Sequence, residues 1–442
     1  MRKWLRSILA ISCTAISLFG LTACGKKSTI EPKSTLLGSP KEVTTISYSD
    51  RKSERVVRVA NSAEKFASDF ASAAFSAFED NSNFAVAPVS VYMALSLAAQ
   101  CADGNTKSEI LSTLGITYNQ LIDGFYDYYR SLFAEYKDDG KEIGTISLSN
   151  SIWLDNSLQA KQDCIEVLAD KFNCYSYKTG FYEDNEAANL AIREFVKDKT
   201  RGLIDRDFGL SSETLFTIIN TLYIKDIWNT FGEDLTFTDS TYSFVNYDTS
   251  NTETKLLQGY YNRGKVYESE NYRTFFTSTS NGNKIKFILP KDGLTVDDIF
   301  TAKNLSEINS IKDYNSVDEV NKIIYHTRCL FPEFSANYES DIKGLLFDMG
   351  IKDLFSMDDC IFGTLTDSRA YCSGVKHITK LNVDKTGIEG AAVTILAADG
   401  SAEPPEKQYE DVYSDFVIDR SFGFILSDWY DNTLFSGVVK KV

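Results

Sequence analysis

Histidine is scarce in this chain of 442 residues, which contains only His326 and His377. Neither residue accompanies a nucleophile motif such as GxSxG, an HExxH helix or a cluster of metal ligands. Carboxylates are plentiful, with 62 Asp and Glu, but that number fits a solvated acidic surface. The sequence therefore argues against an enzyme and predicts neither a bound metal nor a cofactor.

Basic residues are outnumbered, since 46 Lys and Arg face 62 acidic residues and the formal net charge is −16. The chain has no basic stripe that could neutralise phosphate groups, so nucleic acid is not expected as a partner. An acidic balance of this size favours solubility and attraction to basic partners.

Cysteines at short spacing are absent as well. The eight cysteines form no CxxC motif and no Cys/His cluster at zinc spacing. Cys13 and Cys24 lie near the N terminus, and the other six are widely spaced. Export would permit disulfides, but the spacing assigns none.

The N-terminal region lacks a hydrophobic run long enough for a comfortable membrane span. Its apolar segment, residues 7–20, follows a basic start within residues 1–6. This arrangement predicts a cleaved signal peptide over residues 1–23 rather than a membrane helix. Residues 24–57, rich in Lys, Ser and Thr, are predicted to form a linker.

The end of the predicted signal, Leu21-Thr22-Ala23-Cys24, resembles the lipobox of bacterial lipoproteins. In that family the cysteine thiol receives a diacylglyceryl group and becomes the new N terminus. The resemblance implies lipidation at Cys24, a lipid anchor in the cell membrane, and an exported domain on its extracellular or periplasmic face. The alternative is an ordinary signal peptide with a chance cysteine.

Residues 58–442 mix helical and strand-like patterns without a clear domain break, which predicts an α+β fold in one multi-domain-like single domain.

One stretch of this domain, residues 383–410, looks both exposed and able to insert into a sheet. Side chains alternate across a strand, and one face of this stretch carries no charge, with Ile388, Gly390, Ala392, Thr394, Leu396 and Ala398. The following Asp399-Gly400-Ser401 and Pro404-Pro405 are typical of a loop. The stretch indicates two possible states; the alternative is a long surface connection.

Three stretches stand in order along the chain: residues 83–106, residues 219–231 and residues 383–438. Together they resemble the serpin family over about residues 58–442. Residues 83–106 resemble its second-helix segment, and residues 219–231 resemble its central strand with the breach tryptophan, Trp228. Residues 383–438 resemble its hinge, reactive loop and closing strands. The resemblance implies three β-sheets surrounded by eight to nine helices, with an exposed reactive-centre loop.

The resemblance also implies a serine protease inhibitor that acts as a suicide substrate. A protease cleaves the loop, and the cut loop enters the large sheet as an extra strand and traps the acyl-enzyme. Burial requires the inward hinge positions to be uncharged, although Ile388 replaces the usual Thr or Ser, and Lys385 and Thr386 replace an acidic pair. The implied hinge comprises Gly387, Ile388, Glu389, Gly390, Ala391, Ala392, Val393 and Thr394.

Counting seventeen residues inclusive from Lys385 places the implied reactive bond at Ser401–Ala402. A small residue there suits elastase-like or subtilisin-like proteases, and a cysteine protease is also allowed. Lys407 and Tyr409 are rival positions for trypsin-like and chymotrypsin-like targets. The implied partners are therefore a protease and, through the lipid anchor, a membrane, and a monomer is expected.

The implied shutter, where the large sheet parts, comprises Ser90, Asn220 and His377, while Ala87 stands where a second Ser is common. His377 is expected to be a core histidine with no catalytic role. The alternative function keeps the fold without inhibition, as a surface binding protein. Such members usually carry bulky, charged or proline residues in the hinge, whereas Pro404-Pro405 lies beyond the implied cut.

Overall fold

The computed structural model of the protein describes residues 31–44, 46–138, 141–228, 235–311, 314–372, 374–389 and 409–442. Pro32–Val442 forms one compact unit. Within these ranges, no helix is both long and apolar enough to cross a membrane.

Ten α-helices and one 3-10 helix, Asp353–Phe355, lie in the described part of the chain. One face of the longest helix is buried, with Phe66, Phe70 and Ala74 in the core. The helices are α1 Tyr48–Arg51, α2 Glu54–Ser76, α3 Pro88–Cys101, α4 Gly104–Leu114, α5 Tyr118–Leu132, α6 Gln162–Phe172, α7 Asn185–Lys199, α8 Val296–Ile299, α9 Ala302–Ser310 and α10 Lys343–Asp348.

The same residues contain twenty-one strands. They are β1 Thr35–Gly38, β2 Phe84–Val86, β3 Ala134–Asp138, β4 Lys141–Asp155, β5 Cys174–Thr179, β6 Phe216–Ile227, β7 Thr236–Phe237, β8 Tyr242–Val245, β9 Asn251–Thr254, β10 Leu257–Arg263, β11 Tyr267–Glu268, β12 Tyr272–Ser278, β13 Lys284–Pro290, β14 Val317–Asp318, β15 Ile323–Phe331, β16 Phe334–Asp341, β17 Lys376–Val383, β18 Gly387–Ile388, β19 Glu410–Val417, β20 Phe422–Ser427 and β21 Thr433–Val439.

These strands form three large sheets and one separate hairpin, β8-β9. The eight-stranded sheet has the order β1-β5-β4-β6-β18-β17-β16, with β3 paired to β4. The six-stranded sheet has the order β11-β12-β13-β20-β21-β2, and the five-stranded sheet has the order β14-β15-β10-β7 with β19 beside β15. Helix α3 packs between β6 of the first sheet and β21 of the second. The three large sheets match the prediction. The ten described α-helices exceed the predicted eight to nine because this number includes α1 and α8, which are single turns of four residues each.

The central strand implied within residues 219–231 is β6, and its burial is uneven. Residues 221–224 are buried, as expected of a central strand, but residues 216–220 are half-buried. The reason is that β6 pairs with β4 along one edge, whereas among the described residues its other edge pairs only at Asp226 and Ile227.

The described part of the predicted linker packs against the domain. Strand β1 pairs antiparallel with the free edge of β5, and the guanidinium of Arg130 donates to the carbonyl of Thr44 at 2.9 Å. Gly38 lies against Ile165, where a Cβ would come within 2.8 Å of that side chain. The packed chain therefore begins well before residue 58, because an open strand edge offers backbone partners to a polar segment without an apolar pattern.

Candidate functional site

A gap divides the middle of the eight-stranded sheet, between β6 and β17. β6 pairs with β4 and β17 pairs with β16, but no described strand lies between residues 216–225 of β6 and the facing edge of β17. A cavity of about 130 Å³ lies there, lined by β6, β17 and α3. The sheet thus presents two inner strand edges to an incoming strand.

Strand β18 fills the end of the gap next to Asp226 and Ile227, which we call the upper end. Ile388 pairs with Asp226 on β6 and with Val383 on β17, so it forms a strand between them. Its side chain is fully buried, and the sheet therefore accommodates its bulk. Gly387 approaches β6 so closely that a Cβ would lie 2.0 Å from the carbonyl oxygen of Asp226, which only glycine avoids.

A tight turn joins β17 to β18. The Asp384 carboxylate accepts hydrogen bonds from the backbone N–H groups of Thr386 at 2.7 Å and Gly387 at 3.2 Å. The N–H of Lys385 donates to Oε1 of Glu333 at 2.9 Å. These bonds are those of a side-chain-capped turn, and they direct the chain from β17 back into the sheet.

Two of the predicted shutter residues, Ser90 and Asn220, are joined directly. The Ser90 hydroxyl, in the first turn of α3, donates to Oδ1 of Asn220 on β6. Nδ2 of Asn220 donates to Oδ1 of Asn150 at 2.6 Å, and Nδ2 of Asn150 donates to the carbonyl of Phe172 at 2.8 Å. This chain of bonds fastens β6 to α3 and β4 on one side of the gap.

The third predicted shutter residue, His377, lies across the gap on β17. Its Nε2 accepts a hydrogen bond from the backbone N–H of Ala87 at 3.2 Å, and the rings of Phe70 and Tyr338 pack against it. Burial lowers the pKa of His377 to about 4 because desolvation penalises the charged imidazolium. The ring is therefore a neutral acceptor that ties β17 to the start of α3.

The predicted breach residue, Trp228, is buried at the upper end of β6. Its indole N–H donates to the carbonyl of Asp384 at 2.6 Å, and its ring lies edge-on to Phe331 at 5.5 Å between centroids. Trp228 therefore fixes the turn from which the hinge begins.

Sequence reasoning missed a buried carboxylate beside the hinge, that of Asp226. It accepts a hydrogen bond from Nδ2 of Asn283 at 2.6 Å and further bonds from Thr279 and Asn281. Burial raises the pKa of Asp226 to about 7, and these bonds only partly oppose that rise. An acidic residue within the apolar run of β6 was the available signal, but its partners lie 53 to 57 residues further along the chain.

A second missed feature is the contact between Glu389 and Tyr223. The Tyr223 hydroxyl donates to the Glu389 carboxylate; burial raises the pKa of Glu389 to about 6, against the opposing effects of this bond and of Lys225 and Arg201. Glu389 also has a φ of +68°, in the left-handed region that non-glycine residues rarely occupy. Strand β18 ends one residue before Glu389.

The rival cleavage position Tyr409 lies where the loop rejoins the domain. Its hydroxyl donates to Oε2 of Glu319 at 2.6 Å and accepts a bond from Nζ of Lys322 at 3.4 Å. The N–H of the next residue, Glu410, donates to the carbonyl of Lys322 at 2.8 Å, and β19 starts there. Tyr409 is therefore anchored to the β14–β15 turn.

The remaining predicted site residues lie outside the described residues. They are Cys24, Gly390, Ala391, Ala392, Val393, Thr394, Ser401, Ala402 and the rival position Lys407.

A sheet that holds the start of an extra strand between two of its central strands is the arrangement on which loop-inserting protease inhibitors depend. The family model of serpins (serine protease inhibitors) matches this chain over residues 61–442, and the chain belongs to the serpin family. Membership implies a protease inhibitor in general terms, with a protease as partner.

The similar proteins span most of the chain. Iripin-1 of Ixodes ricinus is 26% identical over 378 residues, which is 81% of this chain and 89% of that protein. The corticosteroid-binding globulin of Ovis aries is 25% identical over 364 residues, 81% of this chain and 79% of that protein. The crystal structure of the thermophilic serpin tengpin in its native state superposes with a TM-score of 0.66 at 22% identity, covering 93% of this chain and all of that one.

Proposed function

We propose that the protein is a suicide-substrate inhibitor of serine endopeptidases, which traps its target by inserting the cleaved reactive loop between β6 and β17. The observation that carries this proposal is the position of Ile388, which already pairs with both strands at the top of the gap. A strand that has begun to form needs only to be released at its far end to continue.

Extending the pairing of Ile388 predicts the register of the inserted loop. Each step of two residues along the loop moves two residues back along both neighbours, because both pairings are antiparallel. Residue 394 then lies opposite Asn220 on β6 and His377 on β17. Residues directly opposite share a face of the sheet, so the Thr394 hydroxyl would join the polar shutter groups.

The length of the sheet supports Ser401 as the residue at which the loop is cut. In the same register, residue 398 lies opposite Phe216, the first residue of β6, where the pairing would end. A cut after Ser401 leaves the acyl-enzyme three residues beyond the lower edge of the sheet, close enough to press against the domain. A cut after Lys407 would place six more residues between the sheet and the acyl-enzyme, so the protease would not be held against the domain.

The anchoring of Tyr409 argues against a cut there. A protease takes the side chain of the cleaved residue into its specificity pocket, but Tyr409 is bound to Glu319 and Lys322. The bond after it also leads directly into the paired strand β19. We therefore favour an elastase-like or subtilisin-like target over a chymotrypsin-like one.

The energetics of the gap favour insertion after cleavage. The new strand would gain backbone hydrogen bonds on both edges, each contributing about 1 kcal/mol net, and would bury uncharged side chains against α3. The intact loop is held at both ends, by β18 and by Tyr409, so the uncut state persists kinetically.

The second candidate is a binding protein that keeps the fold without inhibition. Its support is the similarity to corticosteroid-binding globulin, a protein named for binding a corticosteroid. The hinge favours inhibition instead, because its inward residues carry no charge and Ile388 already fits the sheet.

We further propose that the inhibitor is displayed on the outer face of the cell membrane through a lipid on Cys24. The support is the lipobox-like sequence Leu21-Thr22-Ala23-Cys24. Metabolic labelling with a radioactive fatty acid should label the wild type and leave Cys24→Ser unlabelled; label retained by Cys24→Ser would contradict the anchor.

The inhibitory function is tested by incubating the protein with subtilisin and with pancreatic elastase. We expect a complex that survives boiling in detergent, together with a released C-terminal fragment that begins at Ala402. Clean cleavage without a complex, and with full recovery of protease activity, would favour the binding protein.

A further inference from the structure

We infer that Glu389 is a switch residue, bound to Tyr223 before the loop is cut and to Lys225 after insertion, so that the first contact restrains insertion and the second stabilises the inserted strand. This inference rests on the proposed function, because it concerns the same loop movement. It assigns that movement a control point at the last described residue of the hinge.

The starting contact lies on the sheet face opposite α3. Tyr223 is buried on β6, and its hydroxyl donates to the carboxylate of Glu389. The guanidinium of Arg201 lies 5.0 Å from the centre of the Tyr223 ring but is engaged by Glu142 through two hydrogen bonds. The Tyr223 hydroxyl therefore restrains Glu389 by a direct hydrogen bond, whereas the guanidinium of Arg201 is already bound to Glu142.

The starting position of Glu389 is strained and incompletely satisfied. Its φ of +68° places a residue with a long side chain in the left-handed region, at a cost of about 1–2 kcal/mol. Its Oε2 atom is buried and receives no hydrogen bond from the residues that the structure describes. Both features would be relieved if Glu389 adopted the extended conformation of a strand.

The register predicts where the carboxylate goes. Ile388 pairs with Asp226, so an extended Glu389 lies opposite Lys225 on β6. On the β17 side it lies opposite Asn382, whose carbonyl already accepts the N–H of Glu389 at 2.9 Å. The positive charges of the half-exposed Lys225 and the exposed Lys380 already favour the ionised form of this carboxylate and oppose the rise in its pKa. The movement thus exchanges a neutral donor for a cationic one on the same face of the sheet.

Two variants separate the two positions of the switch. Tyr223→Phe removes the starting contact and keeps the ring beneath Arg201, so complex formation with subtilisin should become about 10- to 150-fold faster, the effect of losing one hydrogen bond to a charged group. The melting temperature of the loop-cleaved Tyr223→Phe protein should equal that of the cleaved wild type. Lys225→Gln should lower the melting temperature of the cleaved protein by about 1–3 °C, and that of the intact protein by less.

Matched controls complete the design. Tyr177→Phe removes a hydroxyl from the same sheet face two strands away and should leave the rate unchanged, and Lys225→Arg should restore the stability of the cleaved protein. A Tyr223→Phe rate equal to that of the wild type, or a Lys225→Gln loss that is equal in the intact and cleaved proteins, would overturn the switch. If the wild type itself gains no stability on cleavage, the proposed function fails as well, so the two failures are distinguishable.

Discussion

At the scale of single residues, Thr394 is the position whose substitution separates trapping from simple cleavage. Thr394→Arg would place a charge opposite Asn220 and His377, and burying an unpaired charge costs several kcal/mol. We expect this variant to be cleaved as a substrate, with the stoichiometry of inhibition raised at least about tenfold in an active-site titration. Thr394→Val, similar in volume and uncharged, should still trap; equal stoichiometries in the two variants would count against insertion through this face.

The pKa of His377 predicts a pH dependence of stability. Burial holds this pKa at about 4, below its ordinary 6.5, so the unfolded state binds the proton more readily between these values. The contribution of His377 is therefore fully present above pH 6.5 and is lost as the pH falls toward 4, by at most about 3 kcal/mol.

His377→Gln keeps a hydrogen-bond acceptor for Ala87 but does not titrate. Denaturant unfolding at pH 7 and pH 4.5 should show the wild type losing stability relative to His377→Gln. The comparison between variants is needed because the raised pKa values of Asp226 and Glu64, each about 7, act in the opposite direction. Parallel curves for the two proteins would contradict a buried neutral histidine.

Residues of the site differ in how far the sequence predicts them. Ser90, Asn220, His377 and Trp228 stand in recognisable motifs, and their resemblance to a known family identifies them together. The hydrogen bonds to the Asp226 carboxylate have no such sequence motif, because its partners lie in the turn between β12 and β13 and meet it only once the chain has folded.

At the scale of elements, the two-residue strand β18 depends on Gly387. An alanine Cβ there would overlap the carbonyl oxygen of Asp226 at 2.0 Å, so Gly387→Ala should push the hinge out of the sheet. We expect less gain in melting temperature on cleavage and a higher stoichiometry of inhibition. Gly344→Ala is the matched control, because a Cβ there meets no atom within 4 Å; identical behaviour of the two variants would show that the close approach is unimportant.

Alternation along residues 388–398 predicts that the segment suits a sheet, but it does not predict that only Gly387–Ile388 pairs in the described hinge. That limit comes from the turn at Asp384 and the left-handed conformation of Glu389. Strand β1 was not predicted either, since it gains stability from the edge of β5 rather than from an apolar pattern of its own. The bounds of an element cannot be predicted from the local sequence pattern when a neighbouring strand determines them.

At the scale of the whole molecule, the fold class follows from the order of several motifs along one chain. Each motif alone is weak, yet their order constrains three sheets and the helices around them, as the structure shows. The gap between β6 and β17 is a property of the assembled sheet, because it arises from two strands that each pair with an outer neighbour.

The most direct measurement compares thermal denaturation of the intact protein with that of the protein cut in its reactive loop, alongside the activity of the attacking protease. Insertion of about ten further residues as a central strand should raise the melting temperature by about 10 °C or more while the protease stays bound and inactive. A cut protein that melts no later than the intact one, beside a fully active protease, would contradict the account.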